Sequence, residues 1–205
     1  MRASTLLAVL TVMSFSAQLA KADLLFTGSQ SGLCCFNVLL QQVDSDTVHV
    51  VATLTQGATY YVNSGSPPPP NHPGFAFNLA GSAQSGATMT VVNSPWTLAD
   101  YHTTLTDNTG GGTFTNWVLN PGNGANLANT GPLIFNLHYN GGIAITNFVA
   151  NASGNYFAAD IMDKNRATGM SFISDPGVNV PDGGATVMLF GMALAVGGLV
   201  TWRRK

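Results

Sequence analysis

Glutamate is absent from this chain, and charge of either sign is scarce. Its 205 residues carry nine Asp and seven Lys or Arg, 8 % of the total, where an average soluble protein carries roughly 25 %. Two of the bases, Arg2 and Lys21, lie near the N-terminus, and three, Arg203, Arg204 and Lys205, are the last three residues. Between Asp23 and Val180, eight Asp face only Lys164 and Arg166, a balance of −6. Such a stretch has no basic patch to neutralise phosphates, which excludes nucleic acid as a partner. Low charge does not mean disorder here, because 45 % of the residues are hydrophobic and β-formers are plentiful.

Cysteine is nearly absent too. The only two, Cys34 and Cys35, are neighbours. Adjacent cysteines do not easily meet ordinary disulfide geometry, with its Cα separations of roughly 4.4–6.8 Å, so no long loop is stapled. Three readings stand: two small strand-edge residues with one side chain on each face, a strained bond between neighbours, or a bridge to another chain in an oxidising compartment.

Groups that would converge on a reaction are also lacking. The four His (His49, His72, His102 and His138) show no zinc spacing, and there is no Gly-x-Ser-x-Gly elbow or phosphate loop. Paired carboxylates for glycoside hydrolysis would have to be drawn from Asp44, Asp46, Asp100, Asp107, Asp160 and Asp163. Asp44 and Asp46 fall in Val43–Thr47, which reads as a hairpin turn, where Asp is expected anyway. Asp160, Asp163 and Asn165 offer oxygens suited to Ca²⁺, but Lys164 and Arg166 neutralise the charge and the spacing misses an EF-hand loop. The segment reads as a solvated turn. The chain is therefore expected to be no enzyme, with no catalytic residue, metal or cofactor.

What is present is a succession of short alternating runs. In Thr47–Thr55, Val48, Val50, Ala52 and Leu54 face one way, and His49, Val51, Thr53 and Thr55 the other. Phe75, Phe77 and Leu79 share a face, as do Leu133, Phe135, Leu137 and Tyr139. Further strand candidates are Cys35–Leu40, Thr88–Val92, Thr113–Leu119, Ile143–Val149, Tyr156–Ile161 and Met170–Ile173. Asn140-Gly141 between two such runs predicts a hairpin. Pro67 to Pro70 predict a stiff polyproline II spacer, and 108–112 and 120–131 read as Asn/Gly-rich loops. No helix of ten or more residues and no fixed-period repeat is visible before the tail. The expected fold is all-β, a single β-sandwich or jelly-roll-like domain over 23–175.

The two ends are not domain material, and removing them leaves about 155 residues, enough for a real core. Residues 1–22 have a positive start, an apolar run from Thr5 to about Ala17, and Ala20-Lys21-Ala22, the three parts of a secretory signal peptide. Signal peptidase is expected to use Ala20 and Ala22 and to leave Asp23 as the new N-terminus. After a linker, Asp175 to Asn179, come Val180-Pro181-Asp182-Gly183-Gly184, the uncharged run Ala185–Trp202, and Arg203-Arg204-Lys205. As a helix, that run rises about 27 Å, close to the roughly 30 Å hydrocarbon core of a bilayer. Trp202 fits an interfacial aromatic, and the basic cluster, residues 203–205, should stay cytoplasmic. Both ends then give one topology, with the body outside the inner membrane. Pro181 and the Asp-Gly-Gly after it keep 176–184 extended and out of the helix.

A proline-containing motif, an apolar span and a terminal basic cluster resemble the PEP-CTERM sorting signal of Gram-negative bacteria. The resemblance covers Val180–Lys205. Val180-Pro181-Asp182-Gly183-Gly184 is similar to that signal's Val-Pro-Asp-Gly/Ser-Gly variant, with the acid kept as Asp182 and Gly183 in place of the second proline. The likeness implies an exosortase, a membrane-embedded cysteine protease, as the processing partner, and a cell surface or extracellular destination where polysaccharide is made. His72 to Leu79 and Gly154 to Ile161, the latter followed by Thr168-Gly169, are similar to stretches in other exported proteins with such tails. The expected role is a structural or interaction protein of the surface or matrix. The alternatives are a carbohydrate-binding module that stacks sugar on Trp96, Trp117, Tyr60, Tyr61 or Tyr101, and, behind it, a secreted hydrolase.

Overall fold

The computed structural model describes residues 23–27, 30–32, 35–60, 74–93, 97–98, 105–107, 111–119 and 130–180. In chain order the first strands are β1 (Asp23–Phe26), β2 (Gln30–Gly32), β3 (Phe36–Asp44), β4 (Thr47–Leu54) and β5 (Thr59–Tyr60). Then come β6 (Phe75–Phe77), β7 (Thr88–Val91), β8 (Thr97–Leu98), β9 (Leu105–Asp107) and β10 (Gly112–Phe114). The last are β11 (Asn116–Leu119), β12 (Leu133–His138), β13 (Phe157–Met162), β14 (Thr168–Ile173) and β15 (Val178–Val180). Among the described residues the only helical pieces are α1 (Ala83–Gly86) and a 3₁₀ turn, Ile145–Asn147. The protein is all-β, as the alternating runs predict.

Every strand pairing among the described residues is antiparallel. The first sheet has the order β15-β1-β3-β4-β12-β7. The second runs β2-β14-β13-β6-β11-β8, with β5 added on β13, and β9 and β10 form a separate ribbon. The β3–β4 hairpin turns where Asp is expected: the Asp44 carboxylate accepts the Asp46 N–H at 2.8 Å and closes an Asx turn.

The alternation decides what is buried. Val48, Val50 and Ala52 of β4 lie against the core with Phe36, Val38 and Leu40 of β3 and Leu133, Phe135 and Leu137 of β12. Phe75, Phe77, Phe157, Ala159 and Ile161 from the second sheet join the same cluster. Rings link the two sheets. Phe26 meets Phe157 edge-on at 4.9 Å, Phe75 meets Phe135 at 6.1 Å, and Phe77 stacks on Phe135 at 5.5 Å. Such pairs contribute about 0.5–1.5 kcal/mol each beyond the area they bury.

The second sheet is buried on both faces. Trp117, Ala76, Ala158 and Phe172 form one cross-strand row on its other side, where Phe114 and Met170 complete a smaller cluster. The two central alanines leave room for the indole and the phenyl ring. That explains why the β13 sequence reads as an almost continuous apolar run rather than an alternation.

The structure departs from sequence expectation at three places. Ile143–Val149 does not return as a hairpin strand from Asn140-Gly141. It passes through the 3₁₀ turn and touches Leu79 at Phe148 in a single bridge. Gln42 holds it there: its amide Nε2 donates to the Ile143 carbonyl at 2.7 Å, and its Oε1 accepts the Ile145 N–H at 3.1 Å. Thr113–Leu119 is not one strand but two, β10 and β11, broken at Thr115, which Asn78 holds through both its N–H and its hydroxyl at 2.8 and 3.0 Å. The expected linker 175–179 carries most of β15, so the compact unit runs from Asp23 to Val180 rather than ending at 175.

Two predictions follow from this packing. Gln42→Ala strands the Ile143 and Ile145 backbone groups and should lower stability by about 1–2 kcal/mol in chemical denaturation, with faster amide exchange confined to 143–147. Tyr60 is fully buried and donates its hydroxyl to the Ala52 carbonyl at 2.8 Å. Burial pushes its phenol far above the usual value of 10.0, a backbone hydrogen bond from Leu133 offsetting this in part. The unfolded chain therefore releases this proton above pH ~10 while the folded chain keeps it, so stability falls by about 1.4 kcal/mol per pH unit there. Tyr60→Phe should remove that slope in urea melts at pH 10–12 and cost about 1–3 kcal/mol at neutral pH.

Candidate functional sites

The edge of the first sheet carries both boundaries that sequence reading marks. β1 and β15 pair with Asp23 opposite Val180, Leu24 opposite Asn179 and Leu25 opposite Val178. Asp23 is the residue that the expected cleavage after Ala22 would expose, and Val180 opens the segment expected from the sequence to be a sorting motif. The Asp23 carboxylate accepts from Gln41 Nε2 at 2.8 Å, which ties β1 to β3. β15 offers little side-chain burial, since Val178 and Asn179 are exposed and Val180 half-buried. Gly177 seats it: a Cβ there would come within 2.6 Å of Leu24 Cγ and 2.8 Å of Phe26 Cε2. Ala20, Ala22, Pro181, Asp182, Gly183, Gly184, the run Ala185–Trp202 and Arg203, Arg204 and Lys205 lie outside the described residues. Among the described residues no helix is long and apolar enough to cross a membrane.

The segment considered for Ca²⁺ is the turn between β13 and β14. Asp163 Oδ1 accepts the N–H groups of Asn165 and Ala167, both at 2.8 Å, and Oδ2 accepts from Asn165 Nδ2 at 3.3 Å. These oxygens close the turn, and Arg166 takes a left-handed conformation (φ 67°) within it. Asp160 is not beside them on the surface but buried within β13. Among the described residues no three His, Cys, Asp or Glu side chains converge to hold a metal.

The other candidates are scattered. Asp44 and Asp46 sit in the β3–β4 turn, and Asp100 lies outside the described residues, as does the side chain of Asp107. His49 Nδ1 lies 2.6 Å from Asn136 Oδ1, and His138 sits between Thr47 Oγ1 at 3.2 Å and Asn140 Oδ1 at 2.9 Å. His72 and His102 are outside the described residues. Of the five aromatics considered for sugar, Tyr60 and Trp117 are buried and present no ring to solvent. Trp96, Tyr61 and Tyr101 are outside the described residues.

Cys35 is disulfide-bonded, and the chain's one other cysteine is its neighbour Cys34. The reading of two free strand-edge residues is thereby corrected at Cys35, which is bonded as the two other readings have it; Cys34 lies outside the described residues. The backbone at Cys35 records the constraint, with a φ of 139° that L residues rarely adopt. The residue is buried at the entry to β3, and its carbonyl accepts the Thr55 N–H at 2.9 Å.

The described part of the first of the two stretches marked in the sequence, 74–79, and the second, Gly154 to Ile161, serve packing. In the first, Phe75 and Phe77 are core rings, and Asn78 holds the β10–β11 corner. In the second, buried Asn155 donates to the Gly111 carbonyl at 2.8 Å, beside Asn151 on the same oxygen at 2.7 Å. Sequence reading missed Gln42, Asn78, Asn151 and Asn155. The available signal was an amide next to a core strand in a chain that lacks charges to do this work.

No family model matches the chain, and neither the curated proteins nor the solved structures hold a significant match to it.

A thiol count tests the cysteine assignment. The chain recovered without reductant should be lighter by two hydrogen atoms than the reduced chain and should take up no alkylating reagent until a dithiol is added. Uptake of reagent by the untreated, denatured chain would show two free cysteines instead.

Proposed function

We propose that this chain is an exported, non-enzymatic protein of the bacterial cell surface or extracellular matrix, with a β-sandwich body delivered by its two ends. In this reading a signal peptide, residues 1–22, is removed by signal peptidase after Ala22. The span Ala185–Trp202 then holds the chain in the inner membrane, with Arg203, Arg204 and Lys205 on the cytoplasmic side. An exosortase-like protease acts at Val180-Pro181-Asp182-Gly183-Gly184 and frees the body for the surface, where extracellular polysaccharide is its expected surrounding.

The observation that carries this reading is where the folded body stops. Its compact unit runs from Asp23 to Val180, and those two residues are partners in the β1–β15 pair. The limits of the fold thus coincide with the processing boundaries inferred from sequence patterns that know nothing of the fold. Asp44 and Asp46 at one turn, Asp163 in another and Asp160 buried within β13 lie on separate elements, which suits a scaffold or contact role better than a reaction.

Intact mass of the protein from the medium, the cell surface and the membrane fraction tests this. The expected mature chain starts at Asp23 and ends between Val180 and Gly184, with added mass where a transferred group remains. A chain that still ends at Lys205 in every fraction would make the tail a plain membrane anchor and remove the sorting step.

A further inference from the structure

We propose that the outer face of the first sheet is an interface between two copies of this chain, built on an aliphatic row that crosses all six strands. The row follows from register. Val178 pairs with Leu25, Leu25 with Leu39, Leu39 with Val51 and Val51 with Ile134. The Ile134 carbonyl then accepts the N–H of Val92, just beyond β7, at 2.8 Å. Their chain neighbours Leu24, Val38, Val50, Leu133 and Phe135 pack inward on the core, so these six side chains point outward. Val178 and Val92, at the two ends, are 59 % and 55 % exposed, and the four between are half-buried.

The polar rows beside it can be buried at little cost. On one side run Asp23, Gln41, His49, Asn136 and Thr90; on the other, Asn37 and Thr53. Gln41 already bonds Asp23 at 2.8 Å, and His49 pairs with Asn136 at 2.6 Å. Side chains that satisfy one another do not lose partners when water is removed. Asp23 is the only charged residue in these three rows, although the body as a whole carries −6. Each copy therefore brings only one carboxylate of its own into such a contact, which keeps the local repulsion between two like-charged bodies small.

The chemistry selects a second copy over other occupants. No aromatic ring in these rows can stack on a sugar, and no base can hold a phosphate or an anionic headgroup. A two-fold axis parallel to the strands, between β3 and β4, sets Leu39 over Val51 of the second copy and Val178 over Val92. The same axis puts Asp23 over Asn136, so no carboxylate meets its twin. Near-aligned packing of two sheets at ~10 Å is an ordinary geometry. With strands ~4.8 Å apart and three rows ~7 Å apart, the face covers roughly 500 Å² per copy. That lies at the weak end of specific interfaces, so the dimer should be reversible, with a Kd on the order of micromolar.

Sedimentation velocity of the full-length chain in a mild neutral detergent, from about 1 to 500 µM, tests this. A monomer–dimer equilibrium is expected, and added salt should tighten it, because screening relieves the repulsion between acidic bodies. Val51→Lys with Ile134→Lys should weaken it at least about tenfold, while Asn165→Lys, in the β13–β14 turn, should leave it unchanged. If the lysine pair fails to give a cooperative melt, Val92→Asp with Val178→Asp, both at exposed ends of the row, reads the same interface without touching the core. A dimer that survives these changes would place the contact elsewhere and overturn the proposal. So would a monomer throughout the range. A monomer in which Val92→Cys resists a thiol reagent would show that the chain's own apolar segment covers the row instead.

Discussion

The contact of phenylalanine rings between the two sheets is what the rest of this protein depends on. Phe26, Phe36 and Phe135 come from the first sheet, and Phe75, Phe77 and Phe157 from the second. Phe75 is the hub: it reaches Phe36 at 6.3 Å, Phe135 at 6.1 Å and Phe157 at 5.8 Å. The strands that meet across the core, β3 and β12 with β6 and β13, lie far apart in sequence, so the sheets must find one another through pairs distant in sequence. Large rings bury the most area per residue and therefore make those distant pairings worth their loop-closure entropy. The positions of β6 and β13, and through them of the smaller cluster beyond, are set by this contact.

With so little charge, amides take over the tasks that ion pairs and caps often perform. Gln42 pins the chain that closes one end of the sheets, Asn78 turns the β10–β11 corner, and Asn151 with Asn155 clamps Gly111. A neutral amide donates and accepts at once, so one side chain can satisfy a carbonyl and an N–H of the same loop. Its burial also costs less than that of a charge, and it does not depend on pH or salt. The position at Gly111 shows how tightly these clamps are built: the Phe172 ring occupies the place a Cβ would take.

Much of the fold was legible because alternation is a direct record of which face is buried. The runs around Val48–Leu54, Phe75–Leu79 and Leu133–Tyr139 could be placed, face included, from spacing alone. The failures have one physical cause. Ile143–Val149 has the composition of a strand, but its backbone groups are claimed by Gln42, more than a hundred residues away, and spacing carries no information about such a partner. β1 and β15 were missed because each is short and is ordered by a strand elsewhere in the chain, β1 by β3 and β15 by β1. Of the candidate sites, spacing alone could show that Asp163 and Asn165 lie in a turn, but not that the turn consumes their oxygens. The cysteine pair was undecidable from sequence, since two adjacent thiols and a bond between them have the same spelling.

The pairing of Asp23 with Val180 has a mechanical consequence. Load applied through these two residues does not slide β1 along β15. It pulls neighbouring ends of antiparallel strands apart, so the hydrogen bonds open one after another, each bearing the whole force in turn. A body held at this edge behaves as a zipper under tension: it peels at low force while the ring-locked sheets behind it stay closed, and it re-seats when the load is gone.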